Sequence, residues 1–256
     1  EIVPNVGTWV DREVVPNASE FEHADAFPEE MVRGMAEMGL FALKIPEEYG
    51  GLNLSFECYA GVCIELARGW MSLAGIINTH VIAAYAITEY GTPEQKQRFL
   101  PRMVGPEIRG ALSITEPDAG SDAQAIRTTA RRDGDDYVIN GQKMWVTNGQ
   151  RAGVYLALTK TNPAAEPRHR GMSAFLVEPG IPGFTVGKKF NKLGYKGVET
   201  TELSFDDART LFHDAANGRR TVRRLQVIEV KHRVCNSGVE PDTSHVRFEC
   251  YRLPVT

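Results

Sequence analysis

The chain is short of the features that mark metal, thiol-redox and Rossmann-type dinucleotide sites. Its four cysteines, Cys58, Cys63, Cys235 and Cys250, form no CxxC pair, and none has a histidine at metal-ligand spacing. That argues against a metal site and a thioredoxin-like centre and leaves reduced thiols as the expectation. No GxGxxG occurs, which closes the Rossmann route to a dinucleotide. The net charge is -4 and no long basic run lies before residue 210, so no nucleic acid partner is expected. Glu1-Ile-Val-Pro-Asn5 contains neither the basic nor the apolar region of a secretory signal. The one long apolar stretch, Met71 to Tyr90, carries Asn78, Thr79 and His80 at its centre. Polar groups there predict a buried core helix and no membrane span.

What is present is an ordinary soluble composition, 42% hydrophobic and 24% charged over 256 residues, enough for one large domain or two smaller ones. Residues 28 to 103 have helical signals. Met31, Met35 and Met38 follow Pro28 at spacings of four and three, and Gly39 suits a left-handed helix end. Ser55 can cap a second helix whose Phe56, Tyr59, Cys63, Leu66 and Trp70 would form its apolar face. Thr92-Pro-Glu-Gln95 has the pattern of a capping box. From Ala111 the period shortens to two: Leu112-Ser-Ile114, Tyr137-Val-Ile-Asn140, Val154 to Leu158, Ser173 to Val177 and Thr200 to Phe205 are separated by Asn-Gly, Asp-Gly and Pro-Gly turns. Helices followed by strands, without βαβ alternation, predict an α+β chain: an all-helical domain over 1–110, then an antiparallel β-barrel-like domain over 111–209.

Two phrases carry the chemistry: Ala111-Leu-Ser-Ile-Thr-Glu-Pro-Asp-Ala-Gly-Ser-Asp122 and Asn140-Gly-Gln-Lys-Met-Trp-Val-Thr-Asn-Gly149. Together they resemble the flavin-binding signature of the acyl-CoA dehydrogenases. Met38 to Gly51, Lys192-Leu-Gly194 and Phe205-Asp-Asp-Ala-Arg209 extend the resemblance over about four-fifths of the chain. The resemblance implies an FAD-dependent oxidoreductase that converts an acyl-CoA thioester into the trans-2-enoyl-CoA in fatty acid β-oxidation. Electron-transferring flavoprotein would be the acceptor, and the family is homo-oligomeric. It places Leu112, Ser113, Ile114 and Thr115 at the pyrimidine side of the flavin, Trp145 along the ring, Val146 in backbone contact and Thr147 beside N5. Ser121 would contact the acyl-CoA. Glu116 and Asp122 are expected to shape their loop as turn and cap residues.

After Arg209 the likeness stops. Residues 210–256 hold eight basic against five acidic residues, whereas residues 1–209 hold 21 against 28. The expectation is a divergent tail in place of the family's carboxy-terminal helical bundle, from which the catalytic Glu comes. No motif assigns that role to Glu229, Glu240 or Glu249, and the catalytic base is unknown. Two alternatives follow: a truncated or frameshifted, incompetent fragment, or a non-enzymatic binding module with the flavin-domain fold. A bacterial cytoplasm is the expected location, with the mitochondrial matrix as the alternative.

Overall fold

In the computed structural model, which describes residues 1–134, 136–211 and 225–228, helices precede strands. Helix α1, Ile2–Trp9, runs on through a π-turn, Val10–Val14, so Val6, Val10 and Val14 form one fully buried stripe at a spacing of four. Helices α2, Ala18–Ala24, and α3, Glu29–Glu37, follow. Met31 and Met35 are buried, Met38 packs at the edge of the same core, and Gly39 leaves the helix with φ of 74°. That is the ending its sequence predicts.

Helix α4, Phe56–Tyr90, starts at the expected cap, where the Ser55 hydroxyl accepts the Cys58 amide. Trp70 has non-helical torsions, φ -162° and ψ 113°, and divides α4 into two limbs. A straight helix would separate Phe56 and Tyr85 by roughly 44 Å. Their ring centroids are 5.2 Å apart, so the limbs fold back on each other. The fold-back corrects the predicted apolar face at Phe56, whereas Tyr59, Cys63, Leu66 and Trp70 do pack in or against the helical core. Val62, Leu66 and Trp70 are buried, whereas Phe56 is 38% exposed and meets Tyr85 and the Lys44 ammonium. By length and composition α4 could cross a membrane, but it is bent, and 56% of its most apolar window is buried in the protein. Helix α5, Pro93–Met103, begins at a complete Thr92/Gln95 capping box with Pro93 in its first turn.

Strands β1 (Arg109–Ser113), β2 (Thr129–Asp133), β3 (Asp136–Thr147), β4 (Ala152–Lys160), β5 (Met172–Val177), β6 (Phe184–Val186), β7 (Thr200–Leu211) and β8 (Leu225–Ile228) form one sheet. Its order is β6-β7-β3-β2-β4-β5-β8, with β1 beside β4. The pairing is antiparallel except where β1 runs parallel to β4 and where Thr129 of β2 meets Lys160. The β-domain is therefore a curled mixed sheet, a half-barrel. Strand β8 lies within the expected tail and extends the sheet at β5.

One face of the sheet packs its own core of Ala111, Ile139, Tyr155, Phe175, Leu203 and Phe205. The other places Val154, Leu156 and Leu176 against Ala83, Ile87, Phe99 and Met103 of α4 and α5. Strand β4 is covered on both faces, which is why it reads as a continuous apolar run. Each fully buried Leu or Phe side chain contributes about 1.5–3 kcal/mol. At the α4–β1 crossing Gly110 allows close approach, since a Cβ there would lie 2.6 Å from the Ala83 methyl.

Candidate functional site

The two motif segments lie side by side. The Met144 amide donates to the Thr115 carbonyl at 2.7 Å, and the Asn148 side-chain amide reaches the Gly110 carbonyl at 3.4 Å. Residues 110–115 and 144–148 thus run antiparallel as neighbours. Along β1, Ala111 and Ser113 point into the sheet's own core, while Leu112 and Ile114 are half-buried on the other side. Thr115 and Thr147 are also half-buried, and Ser121 is exposed in the loop that follows. Ser113 and Val146 are buried, so only their backbone can face a ligand here.

A β-bulge aims Trp145. Lys143 pairs with Leu203 and Val146 with Thr201, so β3 spans three steps where β7 spans two. The extra residue takes up the irregularity: Trp145 has φ of 59°, a conformation a large L-residue adopts only under external constraint. Its ring is thereby turned out, 58% exposed, with its centroid 4.8 Å from that of Phe190. A strand tryptophan ordinarily fills a core. This one forms an open aromatic surface, two residues before Thr147 and next to Met144, whose amide holds the Thr115 carbonyl.

Buried polar groups hold this surface from behind. Asn148, itself at φ 62°, donates to Ile76 O at 2.8 Å and Thr79 Oγ1 at 3.0 Å, and its backbone amide donates to Glu199 O. It ties β3 to α4 and to β7 next to Thr147. His80 completes the junction: the Gly110 amide donates to Nδ1, which leaves Nε2–H to donate to Phe41 O at 3.2 Å. Burial pushes the His80 imidazole down to about 4, against the pull of its backbone partners, so it is neutral and of one tautomer. Nearer the motif loop, Lys143 donates to Ile114 O at 3.0 Å and to Glu116 Oε1 at 2.8 Å, both side chains being buried. Asp122 caps the short turn after it by accepting the Gln124 amide, as expected. Glu116 does form a tight turn with Ala119, and beyond that turn role it has a buried partner in Lys143.

The chemistry of these groups fits a flavin. Two hydroxyls and peptide groups can meet a polar ring edge, and Leu112, Ile114 and the outward Trp145 can meet its apolar faces. Residues 1–107 match the profile of the acyl-CoA dehydrogenase N-terminal domain, and residues 111–208 that of the acyl-CoA dehydrogenase middle domain. The chain belongs to the acyl-CoA dehydrogenase family.

Within that family it is 42% identical to the acryloyl-CoA reductase (NADH) of Anaerotignum propionicum, over 78% of this chain and 51% of the relative. It is 39% identical to an acyl-CoA dehydrogenase of Bacillus subtilis (strain 168), over 79% and 53%. Among solved structures, a glutaryl-CoA dehydrogenase from Mycobacterium smegmatis in complex with FADH2 superposes with a TM-score of 0.75 at 31% identity, covering 82% of this chain and 53% of that one. The chain thus spans about half the length of the relatives it matches.

Four residues that support this candidate wall from behind, His80, Lys143, Asn148 and Glu199, do not stand out in the sequence. His80 leaves a trace as a polar residue amid an apolar run, and Asn148-Gly149 has the pattern of a plain turn. Glu229, Glu240 and Glu249 lie outside the described residues.

Proposed function

We propose that this chain carries the flavin and acyl-CoA side of an FAD-dependent acyl-CoA dehydrogenase. The reaction is α,β-dehydrogenation of an acyl-CoA to the trans-2-enoyl-CoA, with electron-transferring flavoprotein as the acceptor. The observation that carries this reading is the Met144–Thr115 hydrogen bond, which brings both halves of the motif onto one patch. The acyl-CoA names of the relatives and the FADH2 held by a structural neighbour support it.

When bound, FAD supplies a hydride acceptor. The chain's own residues bind and orient it. Leu112, Ile114 and Trp145 give apolar contact, and Thr115 offers a hydroxyl and peptide groups to the pyrimidine edge. Thr147 lies on the N5 side, Ser113 and Val146 contribute backbone, and Ser121 faces the acyl-CoA. No described residue is assigned as the base for the α-proton. Homo-oligomerisation and a bacterial cytoplasmic or mitochondrial matrix location belong to the same proposal.

The test is a visible spectrum of the purified protein after FAD is added and the excess removed, followed by titration with an acyl-CoA. A retained flavin band is the expected result, and bleaching would show that a base is supplied from outside the described residues. A band that persists unbleached would indicate a binding-competent but catalytically incompetent fragment, and a colourless protein would overturn flavin binding by this chain. The relative named as a reductase favours a second reading, the same chemistry in the reverse direction. Its sign would be reoxidation of the photoreduced flavin by an enoyl-CoA.

A further inference from the structure

Among the described residues Lys143 is the largest charged side chain that the protein buries completely, and the site chemistry above makes no use of it. Its ammonium lies behind the wall, not in it. Three anchors converge on the short segment 114–116: Lys143 Nζ on Ile114 O, the Met144 amide on Thr115 O, and Lys143 Nζ again on Glu116 Oε1. Glu116 is fixed in turn by the Arg127 amide at 2.5 Å and the Thr128 amide at 3.0 Å. The carboxylate therefore faces the start of β2, while the cation faces the Ile114–Thr115 peptide. With Lys143 at 0% and Glu116 at 6% side-chain exposure, water does not screen either charge.

A buried ion pair is weak evidence for stability, because desolvation offsets most of its Coulomb energy. Its distinctive effect here is directional. An ammonium hydrogen-bonded to a carbonyl strengthens the adjoining N–H as a donor, and the adjoining N–H belongs to Thr115. We propose that Lys143 is a positioning residue for the flavin wall: its ammonium, held by Glu116, fixes and polarises the Ile114–Thr115 peptide and thereby strengthens flavin binding and favours the reduced flavin. This rests on the flavin reading of the same patch. Burial alone would raise the Glu116 carboxyl, but hydrogen bonds from Lys143, Thr128 and Arg127 outweigh it and hold it below the usual range. Burial lowers the Lys143 amine, and Glu116 draws it back up. The charges facing the pair are their own, with Lys160 within the field of Glu116.

The experiment uses the whole chain and the variants Lys143→Met, Glu116→Gln and the double Lys143→Met/Glu116→Gln, the last removing both charges should a single one fail to fold. FAD affinity is read by fluorescence quenching and the flavin midpoint potential by dye-coupled titration. In the flavin-free protein the carbonyl-carbon resonance of Ile114 is followed against pH. Lys143→Met should weaken FAD about tenfold and lower the potential, whereas Glu116→Gln should raise it. The double variant should fall on the Lys143→Met side. Opposite signs mark an electrostatic role, because a merely structural pair would move both single variants the same way. Affinities within twofold of wild type and unchanged potentials would overturn the proposal, and so would shifts of one sign. If the wild-type chain binds no FAD, the flavin reading fails on its own, and the Ile114 carbonyl decides the rest. A resonance that follows the Lys143 titration and stops doing so in Lys143→Met upholds the polarised peptide. One that ignores Lys143 refutes it.

Discussion

The helical half buries three polar or charged side chains among the described residues, Ser72, His80 and Gln95, whereas the β half buries eleven. In the first half the interior is an aliphatic cluster around Val6, Val10, Leu66, Leu73 and Ile76. Such a core tolerates alternatives of similar volume. In the second, Lys143, Glu116, Thr128, Asn148 and Glu199 gather behind residues 114–116 and 147–148, the segments that form the candidate wall. A buried polar group left unpaired costs about 1–3 kcal/mol, so the Lys143 ammonium, the Glu116 carboxylate and the Asn148 side-chain nitrogen favour the backbone arrangement that satisfies them. The contrast teaches where precision is located: aliphatic packing dominates the helical core, and directed hydrogen bonds hold the wall.

The largest effect should come from breaking the polar side of that contrast. Lys143→Met leaves the Glu116 carboxylate buried without its cation and is expected to cost about 3–5 kcal/mol in urea unfolding. Adding Glu116→Gln should return most of that loss. Leu73→Ala in the helical core should cost about 2–5 kcal/mol through a cavity, with no neighbouring polar change able to restore it. Equal stability of the Lys143 single and double variants would erase the distinction.

Acid probes His80, the titratable member of the three polar side chains buried in the helical half. The folded His80 titrates near 4 and the unfolded one near 6.5, so its contribution is fully present above pH 6.5 and lost as pH falls toward 4. The loss amounts to about 3 kcal/mol. Unfolding measured across this window should show the slope in wild type and a flatter profile in His80→Gln. Glu116, whose folded value lies below 4.5, contributes its own loss only at lower pH.

Asn148→Ala removes the tie between the halves and places alanine at φ 62°. About 2 kcal/mol should be lost in thermal unfolding from the hydrogen bonds and the left-handed backbone. Asn148→Gly, relieved of the backbone part, should lose less, and a fully stable Asn148→Ala would contradict the latch. The smallest effect is local to the helical half: Thr92→Ala opens the capping box of α5 and should cost about 1 kcal/mol in the same assay.

Much of the helical half is legible in its residues. Ser55 and Thr92 cap where their side-chain oxygens can accept amides three residues on, and Gly39 ends α3 because no Cβ opposes a positive φ. The apolar face of the first limb of α4 is legible from Tyr59 to Trp70, but a steady period cannot anticipate the reversal at Trp70, which brings Tyr85 back to Phe56. In the wall the motif locates the segments but not their faces. The bulge at Trp145 shifts the alternation, so that Lys143 and Val146, three residues apart, both point inward.

The sequence by itself determined the local choices: helix ends, turns, the order of helices before strands, and the presence of hydroxyls, an indole and apolar residues in two short phrases. Those depend on the torsions and side chains of a few adjacent residues. Only the tertiary structure decided that Lys143 meets Glu116 across 27 residues, that Asn148 meets Ile76 across 72, and that Trp145 faces outward. Such pairings become favourable when folding has closed the intervening chain and excluded water from both partners, and that energy belongs to no single stretch of sequence.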